Sequence, residues 1–385
     1  MVHEQSATLP LNGLTMLDLG GMGPSARCTR ILADLGTRWI RLIGPAAAGR
    51  VRPQGHDYGA LRGAELMEID LKSLGAAQVF LRMAERADIV VEGFRPGVAE
   101  RLGIGYDQVR MVNEGIVYCA ATGYGQDGPY AQMAGHDLNY QALSGALAAA
   151  GHTDRGLPAM PGLTLGDSAG GGWQAALRIL AALLAKRASG QGAYVDASAA
   201  EGILHLMAGS IDHHLASGAM PEDGMFGGHY ACYNIYAAGD GQALAVAALE
   251  PKFFANLCRA LDLAERASLQ YDRDAQDELR AAFANAFRAH TRQTWVDRLA
   301  TEDVCVTPVL SVAQIAEDPH WRARGMTVDY DHPTGGRLRQ LAAFGRSGII
   351  DRGTVPVVTT AGPILTGFGF TPEEISDLVG RSIVG

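Results

Sequence analysis

At 385 residues the chain exceeds the roughly 150 residues of a typical domain, so two domains are expected, or one large domain with an insertion. Hydrophobic residues make up 48% and charged residues 19%, with no period-three glycine pattern and no low-complexity tract, which excludes disordered, collagenous and fibrous classes. Lys+Arg 32 against Asp+Glu 41 gives a formal charge of -9, and without a long basic run there is no phosphate-tracking stripe for a nucleic-acid partner.

In chain order, short apolar runs alternate with helical patterns from residue 14 to about 120. Residues 14–19, 39–43, 67–71, 88–91 and 115–120 read as strands. Residues 25–35 and 74–87 read as helices, with Ile31, Leu32 and Leu35 on one face of the first and Val79, Phe80 and Met83 on one face of the second. This βαβ alternation predicts an α/β fold with a parallel sheet covered by helices on both faces. Helices are predicted at 138–150, 168–188 and 197–216, with a short strand at 194–196. After a loop-like stretch at 218–228 the pattern changes. Two apolar runs, 230–237 and 243–249, flank Gly239-Asp240-Gly241, a hairpin signal. Helices then follow at 251–261, 277–290 and 294–300, which describes a smaller α+β domain. Thr371-Pro372-Glu373-Glu374 reads as a capping box with proline at the first helical position. The expected division is a large domain at 1–215, a small α+β domain at 216–330, and a segment at 331–385 returning to the large domain.

Five cysteines, odd in number, widely spaced and without a CxxC pair, indicate neither a disulfide framework nor a zinc site. A reducing, cytoplasmic location is expected. The opening residues lack the basic and apolar regions of a signal peptide. The apolar run at 179–185 is far short of the about 20 residues that a bilayer requires, so no membrane partner is expected.

Gly21-Met22-Gly23-Pro24-Ser25-Ala26 follows a predicted strand, opens a helix, and matches the G-x-G-x-x-A form of the dinucleotide fingerprint. The second strand, however, ends Leu42-Ile43-Gly44-Pro45, without the acidic residue that holds a ribose. The loop is therefore read as a tight turn with close helix-strand packing.

Five stretches carry a family resemblance: Arg30-Ile-Leu-Ala-Asp-Leu-Gly36, Glu92-Gly-Phe-Arg-Pro-Gly-Val-Ala-Glu-Arg-Leu-Gly103, Thr122-Gly-Tyr-Gly-Gln-Asp-Gly-Pro129, Gly135-His-Asp-Leu-Asn-Tyr140 and Cys305-Val-Thr-Pro-Val-Leu310. Together they resemble the family III CoA-transferase (CaiB/BaiF) superfamily, and Gly135-His-Asp-Leu-Asn-Tyr140 resembles its α-methylacyl-CoA racemase branch. The resemblance implies a Rossmann-like large domain with a small domain inserted in it. It also implies an interlocked homodimer with the active site between subunits.

Inverting the α-carbon of a thioester means removing a proton from one face and delivering one to the other, so two opposed groups are needed. The enolate formed between them needs donors at its oxygen. Histidine suits one side, with an ordinary pKa of about 6.5, and a carboxylate suits the other. By resemblance His136 is one proton carrier, and Asp137 beside it reads as a helix-start residue favoured by the dipole. Asp167, in Gly166-Asp167-Ser168-Ala169-Gly170-Gly171-Gly172, reads locally as an N-cap. By resemblance it is the essential aspartate, a second proton carrier in racemases and the nucleophile that forms an acyl anhydride in transferases. Glu250, at the end of the predicted hairpin, reads as a solvated helix-start residue, and the resemblance assigns it a hydrogen bond that orients the catalytic histidine across the subunit boundary.

Two departures stand out. Relatives usually carry asparagine four residues before the aspartate, where this chain has Leu163, and a basic stretch where it reads Arg62-Gly63-Ala64-Glu65. A lost charge-assisted hydrogen bond is worth about 1.5–3 kcal/mol, so altered CoA binding or a different thioester carrier is expected. Arg41, Arg62, Lys72 and Arg95 remain as nucleotide-binding candidates. No metal or redox cofactor is implied, since CoA enters as part of the thioester substrate. The expected activity interconverts 2R and 2S 2-methylacyl-CoA thioesters through an enolate. The alternatives are a family III CoA-transferase using Asp167 as nucleophile and a catalytically weakened homologue acting as a scaffold.

Overall fold

A computed structural model describes residues 9–45, 61–151, 153, 156–220, 227–332, 336–342, 357–358 and 361–385. Within the predicted loop at 218–228, residues 221–226 lie outside the described ones. The chain divides into two compact units. One comprises Met1–Leu147, Met160–Met207 and His320–Gly385, and the other Ala148–Ala159 and Ala208–Pro319.

The first unit is built on a parallel sheet of β1 (Thr15–Asp18), β2 (Arg38–Ile43), β3 (Ala64–Glu68), β4 (Ile89–Glu92), β5 (Val117–Thr122) and β6 (Ala193–Ser198). Their spatial order is β3-β2-β1-β4-β5-β6, and the two-residue strand Val357–Val358 adds to the free side of β3. Every neighbouring pair is parallel, the α/β architecture that the alternation predicts. Period-two side chains sort onto the two faces. Leu17, Ile40, Met67, Val90 and Tyr118 share one core with helices Ala76–Ala84, Ala361–Gly367 and Pro372–Gly380. Met16, Trp39, Leu66, Ile89, Val91 and Cys119 share the other with helices Pro24–Asp34 and Gln174–Ser189. Burying each large apolar side chain contributes about 1.5–3 kcal/mol. The capping box at Thr371 forms as the sequence predicts, with Thr371 N–H donating to Glu374 at 2.7 Å and Glu374 N–H to Thr371 Oγ1 at 3.2 Å.

Strand order reverses between β1 and β4. In open parallel sheets, ligands bind beyond the carboxyl ends of the strands at this switch point. The loops leaving β1 and β4 carry Gly20–Gly23 and the Glu92-Gly93-Phe94-Arg95 stretch.

Several local readings change, among them the helix expected over 197–216, which forms as Ala199–Leu206 and Ala208–Ser217. The third strand begins at Ala64 instead of 67, because Gly63, at φ +82°, turns the chain so that Ala64 pairs with Trp39. The helix expected over 138–150 is interrupted at Gly145, at φ +83°, leaving Asp137–Leu143 and Ala146–Ala149. The helix expected at 168–188 opens instead as a π-helix, Gly166–Trp173, before continuing as Gln174–Ser189.

In the second unit, β7 (Tyr233–Ala237) and β8 (Ala243–Ala247) form the predicted hairpin, and β9 (Val306–Pro308) pairs antiparallel with β8. Phe254, Leu257, Leu279, Phe283, Phe287 and Trp295 form its core.

Candidate active site

The site is assembled from the loop after β1. Asp18, fully buried, accepts from Gly20 N–H at 2.8 Å, Trp39 Nε1–H at 2.8 Å and Arg41 Nη1–H at 2.7 Å. Arg41 Nη2–H also donates to the Gly21 carbonyl at 3.0 Å. These bonds pin the turn, and Gly23, at φ +84°, directs the chain into Pro24 at the start of helix Pro24–Asp34. The tight-turn reading of this glycine loop fits the structure.

The π-helix Gly166–Trp173 wedges between helices Pro24–Asp34 and Ala199–Leu206 by means of its glycines. The position a Cβ would take on Gly171 is occupied by Pro24, that on Gly172 by Arg27, and that on Gly170 by Ile203 and the Ala199 carbonyl. Gly202, on the facing helix, lies against the Gly170 carbonyl. π-helical turns occur often at functional sites, and here one presents Asp167.

Asp167 is not an N-cap. The cap position belongs to Leu165, and Asp167 lies within the first turn. Its N–H, an orphan donor at a helix start, is satisfied by Asp137 Oδ1 at 2.8 Å. The other Asp137 oxygen accepts from Gln141 Nε2–H at 2.5 Å. Asp137 is the first residue of helix Asp137–Leu143, and His136 is its N-cap. His136 N–H donates to Asn139 Oδ1 at 3.0 Å, and the His136 carbonyl accepts Asn139 N–H at 2.8 Å. The imidazole is exposed.

Burial raises the pKa of the half-buried Asp167 carboxyl, and the Asp137 charge raises it further, while Arg27 and His136 pull it down; the balance is upward. Tyr140 donates to the Gly135 carbonyl at 2.6 Å and packs edge-on to Tyr124 at 5.1 Å. Burial, with Asp167, Tyr124 and Asp137, pushes its phenol up to about 12. A carboxyl moved toward neutrality is suited to taking up and returning protons.

The other sequence candidates are more dispersed. Arg41 is buried in its ion pair with Asp18. Arg62, also buried, donates to the Leu341 carbonyl at 3.0 Å and lies 3.8 Å from Asp34. Lys72 and Arg95 are exposed. Glu65 lies within β3 and is bound in bidentate fashion by Arg38, at 2.8 Å to each oxygen. Leu163 is 63% exposed. Glu250 belongs to the second unit, as the exposed N-cap of helix Pro251–Ala260. The Leu249 carbonyl beside it accepts from Gln270 Nε2–H at 2.7 Å and from the Tyr271 hydroxyl. Gly23, singled out only as part of a tight turn, and Arg27, which no motif marks, border Asp167, and the triple glycine is the only local sign of the π-helix. Among the described residues, no group of three or more His, Cys, Asp or Glu could hold a metal ion, and no helix is long and apolar enough to cross a membrane.

The family model described as CoA-transferase family III matches residues 11–355. The chain belongs to this family. It is 31% identical to the α-methylacyl-CoA racemase of Homo sapiens over 98% of both chains. It is also 31% identical to the acetyl-CoA:oxalate CoA-transferase of Acetobacter aceti, over 83% of this chain and 85% of that one. In fold it is similar to a CaiB/BaiF family protein from Brucella suis, with a TM-score of 0.79 and 23% identity over 94% of this chain and 99% of that one. It is likewise similar to a protein from Mycobacterium tuberculosis, with a TM-score of 0.80 and 24% identity over 92% of this chain and 98% of that one.

Proposed function

We propose that the chain is an isomerase interconverting 2R and 2S 2-methylacyl-CoA thioesters by proton transfer through an enolate. In this reading His136 and Asp167 take and deliver the proton on opposite faces of the α-carbon, and Glu250 of a second copy orients the imidazole. Arg95 and Lys72, both exposed, are the candidates to meet the CoA phosphates. The observation that carries the reading is the joining of the two helix starts: Asp137, directly after His136, accepts the Asp167 N–H at 2.8 Å, and burial raises the pKa of the half-buried Asp167 carboxyl. Likeness to the human racemase along the whole chain supports it. The reading includes a homodimer, supported by Trp173, Leu177 and Leu184, which are 56%, 68% and 66% exposed and which a second copy would cover. It also includes a cytoplasmic location, where five free thiols would stay reduced.

A second reading, CoA transfer with Asp167 as nucleophile, is favoured by equal identity to the oxalate transferase. Proton NMR of a 2-methylacyl-CoA in deuterated buffer separates them. The racemase reading expects loss of the C2 hydrogen signal without an acceptor acid. Retention of that signal, with thioester moving to an added carboxylate, would favour transfer.

A further inference from the structure

We propose that Asp137 is a positioning residue that ties His136 and Asp167 into one unit and through its charge governs proton transfer at Asp167. The inference rests on the racemase reading for what the proton does, but not for the linkage itself. Asp137 follows His136 directly, so its carboxylate is fixed to the backbone that carries the imidazole. One of its oxygens takes the N–H of Asp167 at 2.8 Å, 30 residues away in sequence, and buried Gln141 holds the other at 2.5 Å. The carboxylate therefore cannot rotate away without leaving these donors unpaired. Gly166 allows the approach, because the place of its Cβ is only 3.1 Å from Asp137 Oδ1. The asparagine expected four residues before Asp167 is here the exposed Leu163, and Asp137 gives the aspartate a fixed partner from another helix.

Four charged or titratable groups act with Asp167. Arg27 comes from helix Pro24–Asp34, and His136, Asp137 and Tyr140 come from the helix Asp137–Leu143 and its cap. Helix Ala199–Leu206 meets the π-helix through Gly202 and Ile203. Among the described residues, Asp137 is the one carboxylate acting on Asp167, and it opposes ionisation.

The test uses Asp137→Asn, which keeps an oxygen for the Asp167 N–H but removes the charge, and Asp137→Ala, which removes both. Carbon-13 NMR of the Asp167 carboxyl, identified by its loss in Asp167→Asn, gives its titration in the substrate-free protein. In Asp137→Asn the midpoint is expected to fall, and the acidic limb of the C2 hydrogen exchange profile should follow it. In Asp137→Ala, kcat for exchange is expected to drop about 10²-fold with KM little changed, as for a displaced catalytic group, and Asp137→Asn should recover most of the loss. An unmoved or raised midpoint in Asp137→Asn would overturn the proposal, even if the alanine variant does not fold. Absence of exchange in the unaltered enzyme would overturn the racemase reading alone, and the titration would still decide the role of Asp137.

Discussion

The α-carbon of Gly23 faces the Asp167 carboxylate: the place of a Cβ on Gly23 lies 3.3 Å from Oδ1. With φ at +84°, the position is both strained for any other residue and crowded by the group proposed to carry the proton.

Gly23→Ala is therefore expected to differ from Gly128→Ala, where φ is +81° but nothing lies within 4 Å of the added methyl. Both should lose about 1–3 kcal/mol from their positive φ, which at Gly23 is paired with a ψ of -142° in a region essentially confined to glycine, measured by urea denaturation. Exchange of the C2 hydrogen should fall at least about tenfold in Gly23→Ala and stay near normal in Gly128→Ala. Equal activity in both variants would refute a tight fit between the turn and Asp167.

Replacing His136 with alanine is expected to abolish inversion while leaving exchange of one stereoisomer with solvent deuterium. The rate loss expected for a lost acid-base group is about 10²- to 10⁴-fold. Chiral chromatography of the recovered acid, run beside the NMR assay, separates inversion from exchange. Full inversion without the imidazole would remove it from the mechanism.

Stability should depend on pH through Glu92. This residue, 4% exposed at the end of β4, is pushed by burial up to about 8, against which the Phe94 N–H, bonded at 2.6 Å, works downward. Between its ordinary value of 4.5 and about 8, the native state keeps a proton that the unfolded chain has released. Its contribution to stability is thus full below about 4.5 and is lost as pH rises through about 8. Glu92→Gln, which keeps an acceptor oxygen but cannot ionise, should flatten the fall in urea midpoint across this range. An unchanged slope would assign the pH dependence elsewhere.

Arg41 and Arg95 should separate by assay. Arg41→Met leaves the buried Asp18 carboxylate without its ionic partner, a loss of about 3–5 kcal/mol for a broken buried pair. Arg95→Ala, at an exposed position, should leave the denaturation midpoint unchanged and weaken CoA binding, read by calorimetric titration. Loss of CoA affinity in Arg41→Met without loss of stability would return Arg41 to the nucleotide.

Much of this molecule was legible from local pattern. Runs such as Leu14 to Leu19 and Trp39 to Ile43 alternate two apolar faces, and a chain that must bury both becomes a parallel strand covered on each side. The hairpin at Gly239-Asp240-Gly241 and the cap at Thr371 were equally readable, because turns and helix starts are decided by neighbouring backbone. The role of Glu65 was not legible. In sequence it only stands where relatives carry a basic stretch, whereas its place in β3 sets it against Arg38.

The sequence by itself determined the strand order's raw material, the family, and the two residue types able to move a proton. Only the tertiary structure decided that Asp137 bonds Asp167, that Arg27 and Gly23 border it, and that its helix opens as a π-turn. The reason is range: periodicities of 2 and 3.6 residues report the faces of single elements. The approach of residues 137 and 167 is allowed by Gly166, whose Cβ would stand 3.1 Å from Asp137 Oδ1, and such a contact leaves no periodic trace along the chain.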